Sequence, residues 1–284
     1  MNSAKFMDDA TIQEAINLKT SLATKLDRSG PLPSWESSGK LLPVNNCSMQ
    51  AEIETIKRIS DEREMVLNPG KTKLMIVNFT DDHQFQSLLS VPGAPNPIEL
   101  AFQTKLLGYW LTVDMKPNTH VSYVLKIAYG RLWAVSRLKS AGVKDDDILH
   151  FFNVKIRSVL EYSTPVYTSM LTVENISDIE RVQKITLKVV LAERYTHYEH
   201  ACTIFGTATL ESRRRDLALN FALKCIKSEQ HKHFFKQRTS IYYKLRRIKS
   251  FEEPFCKTER YRNSPIPYLT RLLNEHFADK IGSF

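Results

Sequence analysis

Residues 67–79, LNPGKTKLMIVNF, combine a turn and a strand and decide the class of the fold. Asn68-Pro69-Gly70 is a turn sequence, because proline presets the backbone and glycine tolerates positive φ. Leu74 to Phe79 is an apolar run typical of a buried strand. A buried strand at this position predicts that the first part of the chain contains a sheet.

The segments around this strand predict further strands and one amphipathic helix. Ile53, Ile56 and Ile59 lie near helical spacing within residues 50–65, with charged residues between them. The other expectations for this part are two short strands turning at aspartates in 5–13, a helix over 14–28, loops over 29–49 and 91–97, and a hairpin formed by 98–102 and 106–113.

After Pro117 the pattern becomes helical. Thr119 is a plausible N-cap, and Gly142 ends the first helix. Asp145-Asp146-Asp147 suits the N-terminus of the next helix. The predicted helices are 120–140, 148–162, 174–192 and 209–229, followed by a loosely ordered tail from about 238. The order of elements predicts an α+β fold with three parts: 1–118 (strands and helices), 119–165 (helices) and 166–284 (a basic helical region).

Charge is distributed unevenly along the chain. Residues 1–118 carry 12 Lys and Arg against 14 Asp and Glu, whereas residues 119–284 carry 28 against 17. A basic surface concentrates polyanions, so the asymmetry suggests a polyanion partner for the second part; basic residues that only solvate helices would give the same composition. Four cysteines and an acidic N-terminus without an apolar stretch exclude a disulfide scaffold and a secretory signal. With no apolar run of membrane-spanning length, an intracellular protein without a membrane partner is expected.

Phe6-Met7-Asp8-Asp9 is the sharpest chemical signal. Two aspartates at a hairpin tip would place carboxylates where Mg2+ can reach them, since magnesium prefers hard oxygen ligands. An Asp pair taken alone more often caps a turn. Its position before a helix, a Lys-Thr box at 71–72 and a Lys-Leu-Leu-Gly box at 105–108 adds weight to the metal-binding interpretation.

This ordered series resembles the second half of the palm of a reverse transcriptase of the non-LTR (LINE-like) retrotransposons. The downstream motifs are similar to the thumb and post-thumb helices of the same elements: Ile156 to Pro165, Ile179 to Lys184, and Leu210 to Arg215. The resemblance runs from residue 5 to about residue 235. It implies a partial palm with a small antiparallel sheet, then a thumb and a helical C-terminal region.

The resemblance also implies roles for individual residues. Asp8 and Asp9 would be catalytic metal ligands for a two-Mg2+ centre, with Asp8 the main one. Lys71 would neutralise phosphate charge or protonate the leaving group. Leu107 and Gly108 would shape the primer grip, although Gly108 also fits a simple bulge. The candidate nucleic-acid contacts are the basic residues Lys126, Arg131, Arg137, Lys139, Arg213, Arg214 and Arg215.

The family's catalytic centre has a further aspartate on a strand well before the Asp-Asp box, and no acidic residue precedes Phe6 here. The chain is therefore expected to be a fragment of an RNA-directed DNA polymerase that is inactive alone. Beyond deoxynucleoside triphosphates (dNTP), no small-molecule cofactor is expected. One alternative is a non-catalytic module that binds RNA or RNA–DNA hybrid. Another is a decayed reading frame without selected function.

Several other residues have two interpretations. His197, His200 and Cys202 suggest zinc, but the CxxC spacing of strong zinc motifs is missing, which favours a buried thiol and surface histidines. Trp133 could stack on bases, yet it falls among helical apolar positions, and core packing is favoured. The Arg213–Arg215 run fits either phosphate contacts or a solvated helix face.

Overall fold

A computed structural model describes residues 5–6, 42–44, 47–77, 85–87, 89–238 and 249–281 of the chain. The fold is mixed α/β and mostly helical. The chain divides into two compact units, residues 1–115 and 116–284. Within the described residues, no helix combines the length and apolar content needed to cross a membrane.

The first unit contains short strands and one long helix, α1, which spans Cys47–Glu62. The strands are β1 (Lys5–Phe6), β2 (Leu42–Val44), β3 (Met65–Val66), β4 (Lys73–Leu74), β5 (Phe85–Ser87), β6 (Glu99–Leu100), β7 (Gln103–Leu106) and β8 (Tyr109–Thr112).

The strands of the first unit pair two by two. Strands β1 and β3, β2 and β5, and β4 and β6 pair in parallel, and only β7 and β8 form an antiparallel pair among the described strands. Parallel pairs need a long crossover, which the sequence distances between these partners provide. The antiparallel sheet expected from the sequence is therefore confined to the β7–β8 hairpin.

The turn of this hairpin is Leu107-Gly108, with φ values of +47° and +86°. Two successive positive φ angles define the type I′ turn, whose twist matches that of the flanking strands. The hairpin runs 103–112, and the predicted arm at 98–102 is wrong, because Glu99–Leu100 pairs with β4 instead.

Two other expectations for this unit differ from the structure, and a third falls mostly outside the described residues. Of the strand predicted at 74–79, residues 74–77 are described; the strand there is Lys73–Leu74, and Val77 is 39% exposed. Residues 42–44 form a strand inside the predicted 29–49 loop. Except for Lys5–Phe6, the predicted strands at 5–13 and the helix at 14–28 lie outside the described residues.

The amphipathic helix predicted at 50–65 is confirmed as α1. Its residues Met49 and Ile53 are buried in the core of the first unit. Strand β4 and the segment between β5 and β6 complete this core with Leu74, Leu89, Val91 and Ile98. The alternation of isoleucine and charge along α1 thus reflects one buried and one solvated face.

The second unit is helical in its described residues. Its helices are α2 (Asn118–Ser140), α3 (Asp145–Phe152), α4 (Ser158–Glu161), α5 (Thr164–Tyr167), α6 (Val173–Leu191), α7 (Tyr198–Ile204), α8 (Leu210–Lys227), α9 (Glu259–Arg262) and α10 (Pro265–Ile281).

Local signals account for several of these helix ends. Gly142 has φ +75°, and its N–H and that of Val143 donate to the carbonyls of Lys139 and Leu138, which closes α2 as a Schellman motif. Thr172 and Thr209 cap α6 and α8 with their side chains. Thr119 is not the cap of α2, because the helix begins one residue earlier, after Pro117.

The helix predicted at 148–162 is divided into three parts. A π-helical segment, Asn153–Arg157, separates α3 from α4. The guanidinium of Arg131 on α2 donates to the carbonyl of Lys155 in this segment. Wider turns of this kind interrupt the regular hydrogen-bond pattern and leave carbonyls for other donors.

Residues 265–281, expected within a loosely ordered tail, form the 17-residue helix α10. Leu269, Leu272 and Leu273 are buried against Ala218 and Ala222 of α8. The small alanines of α8 allow close approach of the two helices. The leucines recur at three- and four-residue spacing, so this helix follows the same periodicity as the others.

Candidate nucleic-acid interface

The residues expected at the catalytic and primer-grip boxes are only partly described. Asp8 and Asp9 lie outside the described residues. Lys71 ends the 3-10 turn Pro69–Lys71, and its side chain is exposed. Leu107 and Gly108 form the hairpin turn, with Leu107 67% exposed, so Gly108 marks a turn and not a bulge.

No group of three His, Cys, Asp or Glu side chains among the described residues is placed to hold a metal ion. At the suggested zinc cluster, His200 Nδ1 lies 2.9 Å from the hydroxyl of Thr196. Burial raises the pKa of the Cys202 thiol.

Helix α2 carries an unusual charge pattern. It contains four Lys and Arg and no Asp or Glu. One face packs into the second unit, where Val121, Val124, Ala128 and Val135 are at most 2% exposed. A helix with basic residues and no acidic ones presents a surface suited to a polyanion.

The opposite face of α2 presents two aromatic side chains between two basic ones. Lys126, Tyr129, Trp133 and Arg137 are separated by three or four residues and all are exposed. This spacing places them on one side of the helix. We call these four residues the α2 stripe.

Trp133 is 69% exposed, so the prediction that it packs in the core is wrong. Trp133 comes directly after Leu132 in sequence, but successive side chains of a helix point about 100° apart. The indole therefore faces away from the buried side of α2. The guanidinium of Arg137, one turn further on, lies 5.6 Å from the centre of the indole ring. This cation–π contact orients a positive charge beside the exposed aromatic ring.

A shallow groove of about 620 Å³ adjoins the stripe. Trp133, Arg137 and Leu138 of α2 line one side, and Phe151 of α3 lines the other. The remaining lining residues are Ala134, Ser140 and Ala141, so the walls contain two aromatic rings and no carboxylate. We call this the Trp133 groove.

The other two basic residues predicted on this helix point elsewhere. Arg131 binds the carbonyl of Lys155. Lys139 forms an ion pair of 2.7 Å with Asp145 at the start of α3, and Arg194 contacts the same carboxylate. The hydrogen bond from Lys139 holds the pKa of Asp145 below its ordinary value. Of the four basic residues predicted on α2, Lys126 and Arg137 belong to the stripe.

The three arginines of the Arg213–Arg215 run do not share one solvated face. Arg213 is paired with Glu161, and this hydrogen bond raises the pKa of its guanidinium. Arg214 is 2% exposed, and its Nη1 and Nη2 have no hydrogen-bond partner among the described residues. Arg215 pairs with Glu275 of α10 at 2.7 Å. The three consecutive arginines thus serve three different packing environments.

Sequence reasoning missed Tyr129, Trp133 and Phe151 as a group. The spacing of Lys126, Tyr129, Trp133 and Arg137 contained a signal, since positions three and four apart share a helix face. The contribution of Phe151 had no such signal, because it comes from a different helix.

No protein-family model matches the chain, and the searches of curated proteins and of solved structures also found no significant match.

Proposed function

We propose that the chain is a fragment of an RNA-directed DNA polymerase of a non-LTR retrotransposon, and that its helical unit binds RNA or an RNA–DNA hybrid. The ordered boxes from Phe6 to Arg215 support the family. The α2 stripe supports the binding role, and it is the observation on which the proposal chiefly depends.

The stripe suits nucleic acid for two physical reasons. Lys126 and Arg137 are exposed cations on a helix without acidic residues, so phosphates approach without a repelling carboxylate on that helix. Tyr129 and Trp133 place exposed rings between these cations, and aromatic rings contact bases or sugars. One helix thus combines cations for the phosphates of a nucleic acid with rings for its bases or sugars.

Catalysis belongs to the proposal only as an expectation about Asp8 and Asp9. Two adjacent carboxylates supply few ligands for a pair of Mg2+ ions, which need several oxygen ligands each. We therefore expect that a polypeptide of these 284 residues does not extend a primer by itself. A non-catalytic binding module derived from a retroelement has the same helical interface and is the second candidate function.

Salt titration tests the binding role. Affinity for an RNA hairpin and for an RNA–DNA hybrid is measured by fluorescence anisotropy over a series of salt concentrations. The logarithm of the association constant should fall linearly with the logarithm of the salt concentration, by roughly one unit of slope per neutralised phosphate. A flat dependence, or no binding, would contradict the proposal.

A matched pair of variants locates the contact. Lys126→Gln combined with Arg137→Gln should weaken binding and reduce the salt slope by roughly two. The control combines Lys188→Gln on α6 with Lys224→Gln on α8, which are also exposed lysines of helices in this unit. Equal losses in both double variants would mean that binding depends on net charge and not on the α2 stripe.

Primer extension tests the expected inactivity of the chain. The chain is incubated with a primed RNA template, dNTP and Mg2+ or Mn2+. Both candidates predict no extension by the isolated chain. Incorporation that disappears in Asp8→Ala would overturn the expected inactivity and establish the Asp-Asp box as catalytic.

A further inference from the structure

We infer that the Trp133 groove takes an unpaired nucleobase, so that the helical unit binds single-stranded nucleic acid in preference to blunt duplex. This inference rests on the proposed function, because it names the form of nucleic acid that the α2 stripe selects. It depends on the exposure of Trp133, the lining of the groove and the charges beside it.

The exposed ring of Trp133 lies on a helix that is packed on its other side. Trp133 is 69% exposed on a helix whose opposite face is buried at Val121, Val124, Ala128 and Val135. The indole is therefore attached to a helix that packs against the rest of the unit, and not to a loop. A fixed aromatic ring that is open to solvent is a stacking surface, since every base has a π face.

The shape of the Trp133 groove suits a flat ligand. The groove has a volume of about 620 Å³, and Trp133 and Phe151 both line it. A flat aromatic ligand can contact two rings there. The groove is shallow and open, so a base that remains attached to its strand can enter it. Its wall is largely apolar, which favours the face of a base over a phosphate.

Two basic residues lie on the same face of α2 as Trp133. Arg137 lies 5.6 Å from the centre of the Trp133 ring, and Lys126 lies two turns before Trp133 on the same face. These cations can contact phosphates on either side of a base stacked at the groove. The groove residues include no acidic side chain that would repel the strand.

These features select unpaired bases over paired ones. In a duplex the base faces are stacked on one another and only the terminal pairs are open. Single-stranded RNA and single-stranded DNA both offer free base faces, and stacking is tolerant of base identity. The shared chemistry is an unpaired base with flanking phosphates.

The test compares strand forms on the full chain. Affinities are measured for single-stranded RNA, for single-stranded DNA and for a blunt RNA–DNA duplex with the same number of phosphates. Trp133→Leu should weaken both single-stranded complexes by roughly 5- to 150-fold, as expected for one lost stacked base, and weaken the duplex complex much less. Trp133→Phe should retain most of the affinity, because it keeps an aromatic ring.

Phe221→Leu is the matched control, since Phe221 is an aromatic residue on α8, 45% exposed and outside the groove. Phe151→Leu is a second variant and should weaken single-stranded binding in the same direction as Trp133→Leu. Thermal melting of each variant confirms that the fold is retained. A preference for RNA over DNA would assign the site to RNA, whereas equal affinities would assign it to single strands in general.

Two outcomes separate failure of this inference from failure of the proposed function. Salt-dependent binding that is lost in the Lys126 and Arg137 variant but unchanged in Trp133→Leu would overturn only the stacking role. Equal loss of single-stranded and duplex binding in Trp133→Leu would also overturn it. No binding to any nucleic acid would overturn both.

Discussion

Arg213 on α8 and Glu161 on α4 form a two-bond ion pair, with Arg213 Nη2 donating to Glu161 Oε2 at 3.0 Å and Nε donating to Oε1. Arg157 lies 3.6 Å from the same carboxylate. The pair joins two helices that are far apart in sequence. An arginine that resembles a phosphate contact in the sequence is therefore already occupied within the protein.

The first prediction concerns this pair. Arg213→Ala should lower the free energy of unfolding by about 1–2 kcal/mol, because it removes two charge-assisted hydrogen bonds from a carboxylate that is only 14% exposed. RNA affinity at fixed salt should remain unchanged. Denaturant unfolding and anisotropy provide the two measurements. A double-mutant cycle with Glu161→Gln should show a coupling energy of about 1 kcal/mol, and additive effects of the two substitutions would argue against the pair.

Arg214 leads to a second prediction, since it is buried beside Tyr167 and Tyr268 without a hydrogen-bond partner among the described residues for its terminal nitrogens. Arg214→Met keeps an unbranched stem and removes the buried charge. The free energy of unfolding should be unchanged or higher by about 1 kcal/mol. Arg214→Ala should instead lose roughly 2–5 kcal/mol, because it leaves a cavity. Both values come from urea unfolding, and equal destabilisation by the two substitutions would contradict the prediction.

A third prediction concerns Glu180, a buried carboxylate of α6 at the N-terminus of α8. It accepts the backbone N–H groups of Leu210 at 2.9 Å and Glu211 at 3.1 Å, and it also accepts the hydroxyl of Tyr198. Glu180→Gln keeps one accepting oxygen and replaces the other by an NH2 group, which donates. That NH2 group would face a backbone N–H group of α8 or the Tyr198 hydroxyl. The free energy of unfolding should fall by roughly 1–3 kcal/mol.

Glu174→Gln is the control for this substitution, because Glu174 is an exposed residue on the same helix. It should change stability by only a few tenths of a kcal/mol, as roughly expected for a surface site. Amide hydrogen exchange provides a second measurement. Faster exchange confined to the first turn of α8 in Glu180→Gln is the expected pattern, and uniform protection throughout α8 would count against the capping role.

The fourth prediction is a pH dependence at the α2–α3 junction. The hydrogen bond from Lys139 lowers the pKa of Asp145 below its ordinary value of 3.8. A lowered carboxyl pKa stabilises the folded state above that ordinary value, and the contribution is lost as the pH falls through the folded pKa. Asp145→Asn should therefore lower the free energy of unfolding by about 1 kcal/mol near neutral pH.

In acid below the folded pKa, the difference between wild type and Asp145→Asn should shrink toward zero. Asp147→Asn is the control, because Asp147 is an exposed residue in the same first turn. Unfolding is measured over a pH series for the three proteins. A stability difference for Asp145→Asn that does not change with pH would contradict the assigned ion pair.

The sequence by itself determined the features that depend on near neighbours. Gly142 closes α2 and three aspartates open α3, both as expected, whereas the expected cap Thr119 is not one. Thr172 and Thr209, which cap α6 and α8, are local signals of the same kind. The amphipathic pattern of α1 also appears directly in its buried isoleucine. These features were predictable because backbone conformation and capping involve residues only a few positions apart.

Tertiary packing decided which side chains are buried, exposed or paired. Arg213, Arg214 and Arg215 are identical in type, yet α4, the packed interior and α10 give them three different environments. Trp133 faces solvent, and α10 packs on α8. Burial and pairing depend on which distant segment covers a side chain, and a residue's own neighbours in sequence do not contain that information.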